Sequence, residues 1–73
     1  MTELHFETVN NHLRCAVFRD AGGRLCSLQE SSATEPTIWL GLDNSGQRML
    51  LTQEQVKALL PALHLFANIG DLP

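Results

Sequence analysis

Apolar residues fall on both alternating faces of the strand-like stretches in this 73-residue chain, and only one segment can form a helix to cover them. A helix over Thr52 to Asn68 covers one face of a small sheet and leaves Trp39, Met49 and Leu51 on the other. At this length hydrophobic burial barely exceeds the entropy of ordering the backbone, so stability needs help from outside the monomer. The simplest cover is a second copy of the chain, or a ligand held between copies. A homodimer or higher oligomer is therefore expected.

Disulfides do not fill the gap, because there are only two cysteines. No apolar leader-like stretch follows Met1 and no run approaches membrane-spanning length, which points to the reducing cytoplasm. The net charge is −3, Lys57 is the only lysine, and Arg14, Arg19, Arg24 and Arg48 form no basic block. General nucleic-acid affinity, which rests on neutralising phosphates, is not expected; a small anionic ligand remains compatible.

No repeat or linker divides residues 1–73, which read as a single domain. Leu13 to Asp20 and Arg24 to Ser31 flank Ala21-Gly22-Gly23 and predict a hairpin. With a three-residue loop, Phe18 faces Cys26, Ala16 faces Leu28, and Asp20–Arg24 and Arg14–Glu30 close one apolar face with opposite charges. Cys15 then lies opposite Gln29, away from Cys26, which argues against a disulfide. A second hairpin is predicted from Thr37 to Leu42 and Gln47 to Leu51 around Asn44-Ser45-Gly46, pairing Leu40 with Leu50, Leu42 with Arg48, Trp39 with Leu51 and Gly41 with Met49. Leu4 to Val9 can add an edge strand.

Thr52 and Gln55 have capping-box spacing, and Val56, Leu59, Leu60, Leu63 and Phe66 or Ala67 form the stripe expected to lie on the sheet. Pro61 predicts a kink or a split near Leu60, and Gly70 a stop.

The three histidines and two cysteines show no metal-ligand spacing, and no metal or cofactor is expected. A Cys/His nucleophile from Cys15 or Cys26 with His5, His12 or His64 has no evident activating partner, and no P-loop, Rossmann or serine-hydrolase pattern occurs. Ser27, Gln29 and Ser31 project neutral donors and acceptors from one strand, either as a solvated strand end or as a recognition edge. In the second reading Arg14 or Arg48 meets a phosphate and Trp39 offers a stacking plane. Trp39 beside Gly41 suits contact with a ring or another backbone; the alternative is a core tryptophan beneath the helix. The expected oligomer contacts are Trp39, Met49, Leu51, Val17 and Leu65.

The ordered segments Cys26-Ser-Leu-Gln-Glu-Ser-Ser32, Ile38-Trp-Leu-Gly41, Arg48-Met49, Leu51-Thr-Gln-Glu-Gln-Val56 and Leu59-Leu-Pro-Ala-Leu63 resemble a family of small uncharacterised proteins of bacteriophages and prophages. Many of its members have a longer insertion where this chain has only Asp43 to Gln47. The resemblance implies a setting of conflict with a host: an oligomer that sequesters a nucleotide-like signal, or a blocker of a host defence protein. A strand meander ending in Leu-Thr-Gln-Glu-Gln before a C-terminal helix is also similar to the single-stranded-DNA-binding transcriptional coactivator fold, although that family's basic strand residues are largely missing.

The expectation is thus an α+β protein, with an antiparallel sheet of three to five strands from two hairpins and one kinked C-terminal helix packed on it. It binds and does not catalyse; its partners are itself and a small nucleotide-like ligand or a host defence protein, with no membrane. The alternative is a single-stranded nucleic-acid-binding dimer.

Overall fold

A computed structural model describes residues 3–10, 12–43 and 46–73. Five strands, β1 (Phe6–Val9), β2 (Leu13–Arg19), β3 (Leu25–Glu30), β4 (Thr37–Leu42) and β5 (Arg48–Thr52), form one open antiparallel sheet in chain order, and helix α1 (Gln53–Ile69) follows β5 directly. The α+β class and the edge strand β1 are as expected.

The first hairpin has the expected register, with Phe18 opposite Cys26 and Ala16 opposite Leu28. Its turn is held by one carboxylate. Asp20 Oδ1 accepts from the Gly22 and Arg24 amides at 2.9 Å each, Oδ2 accepts from Arg24 Nε at 2.9 Å, and Gly23 takes the left-handed conformation at φ 84°. At the other end the Arg14 backbone amide, rather than its guanidinium, donates to Glu30 Oε1 at 2.8 Å.

The second hairpin differs from expectation by one residue. Ile38 pairs with Leu51, Trp39 with Leu50, Leu40 with Met49 and Gly41 with Arg48. A one-residue slip moves every side chain of a strand to the opposite face, so Trp39 shares its face with Leu50 and Arg48, while Met49 and Leu51 lie on the other. The reason is Gly41, at φ 150°, where a Cβ would stand 2.9 Å from both Arg48 Cα and the Gln47 carbonyl oxygen. Leucine matching favoured the other register; backbone approach at Gly41 decides this one. The expected turn at Asn44 and Ser45 lies outside the described residues.

The sheet therefore has two distinct faces. Face A carries Phe6, Ala16, Phe18, Cys26, Leu28, Ile38, Leu40, Leu42, Met49 and Leu51, with Arg14 and Glu30 at one end. Face B carries Cys15, Val17, Ser27, Gln29, Trp39, Gly41, Arg48 and Leu50. The buried apolar centre is small: Ala16, 1 % exposed, and Cys26. Cys15 and Cys26 are both free thiols.

Helix α1 opens with the expected capping box, the Gln55 amide donating to Thr52 Oγ1 at 3.1 Å and the Thr52 amide to Gln55 Oε1 at 2.9 Å. It runs unbroken through Pro61, so the split at Leu60 does not occur, and Gly70 ends it in the left-handed conformation with its amide on the Phe66 carbonyl at 2.8 Å. Its expected packing does not occur either. No residue of α1 is buried, and its contact with the sheet centres on β5, the strand it leaves. Local capping suffices to form the helix, but nothing in the Thr52 cap turns it back over the strands. No helix among the described residues is long and apolar enough to cross a membrane.

Two outcomes check these contacts. Gly41→Ala forces a side chain into the Arg48 and Gln47 backbones and is expected to cost about 1–3 kcal/mol or more in urea denaturation. Asp20 is held below its usual pKa of 3.8, chiefly by the Arg24 amide, with desolvation opposing and the Arg24 guanidinium and Gly22 amide adding to the effect. Because the folded value is the lower one, Asp20 contributes fully above 3.8 and its contribution is lost as pH falls through the depressed value. A carboxyl NMR titration should give a midpoint below 3.8, and Asp20→Asn should flatten stability against pH in that acid range.

Candidate functional site

Two adjacent rows of face B bring polar groups together. Cys15, Gln29, Trp39 and Leu50 form one row across β2 to β5, and Val17, Ser27, Gly41 and Arg48 form the next. Gly41 leaves a gap in the second row. Arg48 lies beside it, with its Cγ 3.5 Å from where a Gly41 Cβ would be.

The Arg48 guanidinium spans the sheet to donate from Nη1 to Gln29 Oε1 at 3.3 Å, and its Cζ stands 5.1 Å from the centroid of the Trp39 ring. That is cation–π range, where desolvation strengthens the attraction. Arg48 has no carboxylate at ion-pair distance among the described residues, whose ion pairs are Arg24–Asp20 and Lys57–Glu54. Among the described residues its Nε is buried without a hydrogen-bond partner, and so is the hydroxyl of Ser27 in the same row.

Of the residues expected at a ligand edge, Trp39, Gln29 and Arg48 thus converge, and the one-residue register difference is what brings Arg48 to Trp39. Ser27 belongs to the cluster but is wholly buried, which corrects its expected place on an open edge. Ser31 stands apart: its amide donates to the Thr37 carbonyl at 3.0 Å and its hydroxyl accepts from the Ala33 amide at 3.2 Å, so it organises the β3–β4 connection. Arg14 is on face A, because the alternation of β2 separates it from Cys15. The expected oligomer contacts also divide, with Trp39 and Val17 on face B, Met49 and Leu51 on face A, and Leu65 on α1.

Cys15 borders the cluster opposite Gln29. Its thiol pKa is raised above the usual 9.0, first by burial and then by Asp43, with Arg48 opposing, so at neutral pH it is a neutral thiol rather than a nucleophilic thiolate. Among the described residues no three His, Cys, Asp or Glu side chains converge on a possible metal position.

A larger concavity of about 560 Å³ lies elsewhere, between the β3–β4 connection and the start of α1, lined by His12, Glu30, Glu35, Ile38, Leu51 and Val56 among others. It is broad, and its carboxylates do not suit an anion. The Arg48 cluster instead brings a cation, an aromatic ring and an amide together. Sequence reasoning had picked out Gly41 as a point of close approach; what approaches is the backbone of β5.

No known protein family, curated protein or solved structure matches the chain.

Since the Ser27 hydroxyl is buried without a partner among the described residues, Ser27→Ala should leave the fold intact, with stability unchanged or raised by up to ~1 kcal/mol in thermal or urea unfolding. A clear loss would mean that the hydroxyl is satisfied in solution.

Proposed function

We propose that the protein is a binding protein which sequesters a small, anionic, nucleotide-like molecule without transforming it. The observation that carries this reading is Arg48, a cation held against Trp39 and Gln29 with no carboxylate to neutralise it among the described residues. An anionic group of the ligand pairs with the guanidinium, where charge-assisted bonds are strongest. A planar ring stacks near Trp39, and the Gln29 amide, whose oxygen already accepts from Arg48, keeps its two N–H donors for the ring or sugar. One arginine and one tryptophan match a ligand of nucleotide size better than a polyanion, which calls for several cations in a row. The resemblance to small phage proteins supplies a setting, the removal of a host signal by capture.

Native mass spectrometry of freshly purified protein, followed by denaturation to weigh what is released, tests the reading. The expected result is a released nucleotide-sized anion, retained by wild type and lost from Arg48→Ala at unchanged circular dichroism. If nothing is released and calorimetry with linear and cyclic nucleotides also shows no binding, the reading is overturned and inhibition of a host protein takes its place. Salt-sensitive binding of labelled single-stranded DNA through Arg48 would instead favour the nucleic-acid alternative.

A further inference from the structure

Two apolar surfaces of this chain, on α1 and on face A, lack a cover; face B exposes Val17 and Leu50 as well, but interspersed with the polar groups of the Arg48 cluster. On α1, Leu59, Leu63 and Phe66 are 43–55 % exposed and lie on one side of the helix, while Gln53, Lys57, His64 and Asn68 occupy the other, where the exposed Leu60 sits beside Lys57 and His64. On face A, Phe6 and Met49 are about half exposed at the two outer strands, with Leu28 and Leu40 between them in the same row. The two surfaces do not meet within the chain, because α1 continues from the end of β5 and stands off the other strands.

The amount of exposed surface says what kind of cover is needed. The accessible area is 5957 Å², whereas a compact chain of this mass exposes about 4,500 Å². The radius of gyration, 13.2 Å, likewise exceeds the roughly 11 Å of a compact chain of this length. The excess, about 1,500 Å², is more than the ~800 Å² per partner that a standard stable interface buries. Dimensions agree as well: α1 has 17 residues, hence a length of about 26 Å, enough to cross five strands spaced ~4.8 Å apart.

We infer that α1 of one copy lies across face A of a second copy, and reciprocally, in a two-fold symmetric dimer. Each chain supplies one helix and one sheet face, the self-complementary arrangement that a two-fold axis requires. The charges of face A lie at its two ends, Arg14 and Glu30 at one and the Asp20–Arg24 pair of the first turn at the other, so seating an apolar helix on it strands no charge in its middle. The polar side of α1, with Lys57 and His64, remains in solvent.

Sedimentation over a range of concentrations and photocrosslinking from position 63 of the full chain test the inference. The expected species has twice the 8.1 kDa chain mass, and a benzophenone side chain at position 63 gives a covalent dimer whose crosslinks map to Phe6, Leu28, Leu40 or Met49 of the other copy. Leu63→Glu and Met49→Glu, at two sites already exposed, should each weaken dimerisation by about tenfold or more, with the strand signal in circular dichroism retained. A monomer at every concentration overturns the inference. So does a dimer crosslinked helix to helix or helix to face B, or one unaffected by either substitution.

Discussion

The approach of the β5 backbone to Gly41 is the constraint on which the rest depends. A glycine at φ 150° lets Arg48 Cα and the Gln47 carbonyl come closer to its α-carbon than any side chain would permit. That fixes which residues of β5 face which way. Arg48 reaches Trp39 and Gln29 only in this register, and Met49 and Leu51 join the apolar face only in this register. One backbone contact thereby separates a polar cluster from an apolar surface in a sheet only five strands wide.

The division leaves an uneven distribution of stabilising interactions. The first hairpin is closed by a carboxylate that takes three hydrogen bonds, and the helix is closed at both ends by its own caps. These are local interactions, each worth about 1 kcal/mol, and they hold elements rather than a fold. The long-range apolar packing centres on Ala16 and Cys26. A chain so organised forms its elements readily and still presents much of its hydrophobic surface to whatever can cover it.

Face B follows a different logic. Burial of the Ser27 hydroxyl and of Arg48 Nε without partners among the described residues is costly, and apolar residues at both positions would pack at less expense. Arg48 is held against an aromatic ring and an amide, with no carboxylate at ion-pair distance among the described residues. Burial holds the thiol of the neighbouring Cys15 above its usual pKa.

Residues near one another in sequence made several features legible in advance. The Asp20 to Arg24 turn, the facing pairs of the first hairpin, the Thr52–Gln55 capping box and the stop at Gly70 all appear as read, because each is decided by backbone preferences over a few residues. Alternation alone placed Trp39 and Gln29 on one face, and they are paired on face B. The pairing of β4 with β5 was not, because leucine matching at Leu40 and Leu50 looked as good as the true register and the close approach at Gly41 has no signature in periodicity. The path of α1 was not legible either, since an amphipathic stripe records that a face wants cover without recording which surface provides it. Sequence by itself determined the elements, their caps and the alternation within each strand; only the tertiary structure decided that Arg48 meets Trp39 and that α1 leaves the sheet, because both depend on contacts between strands and across faces that no local preference encodes.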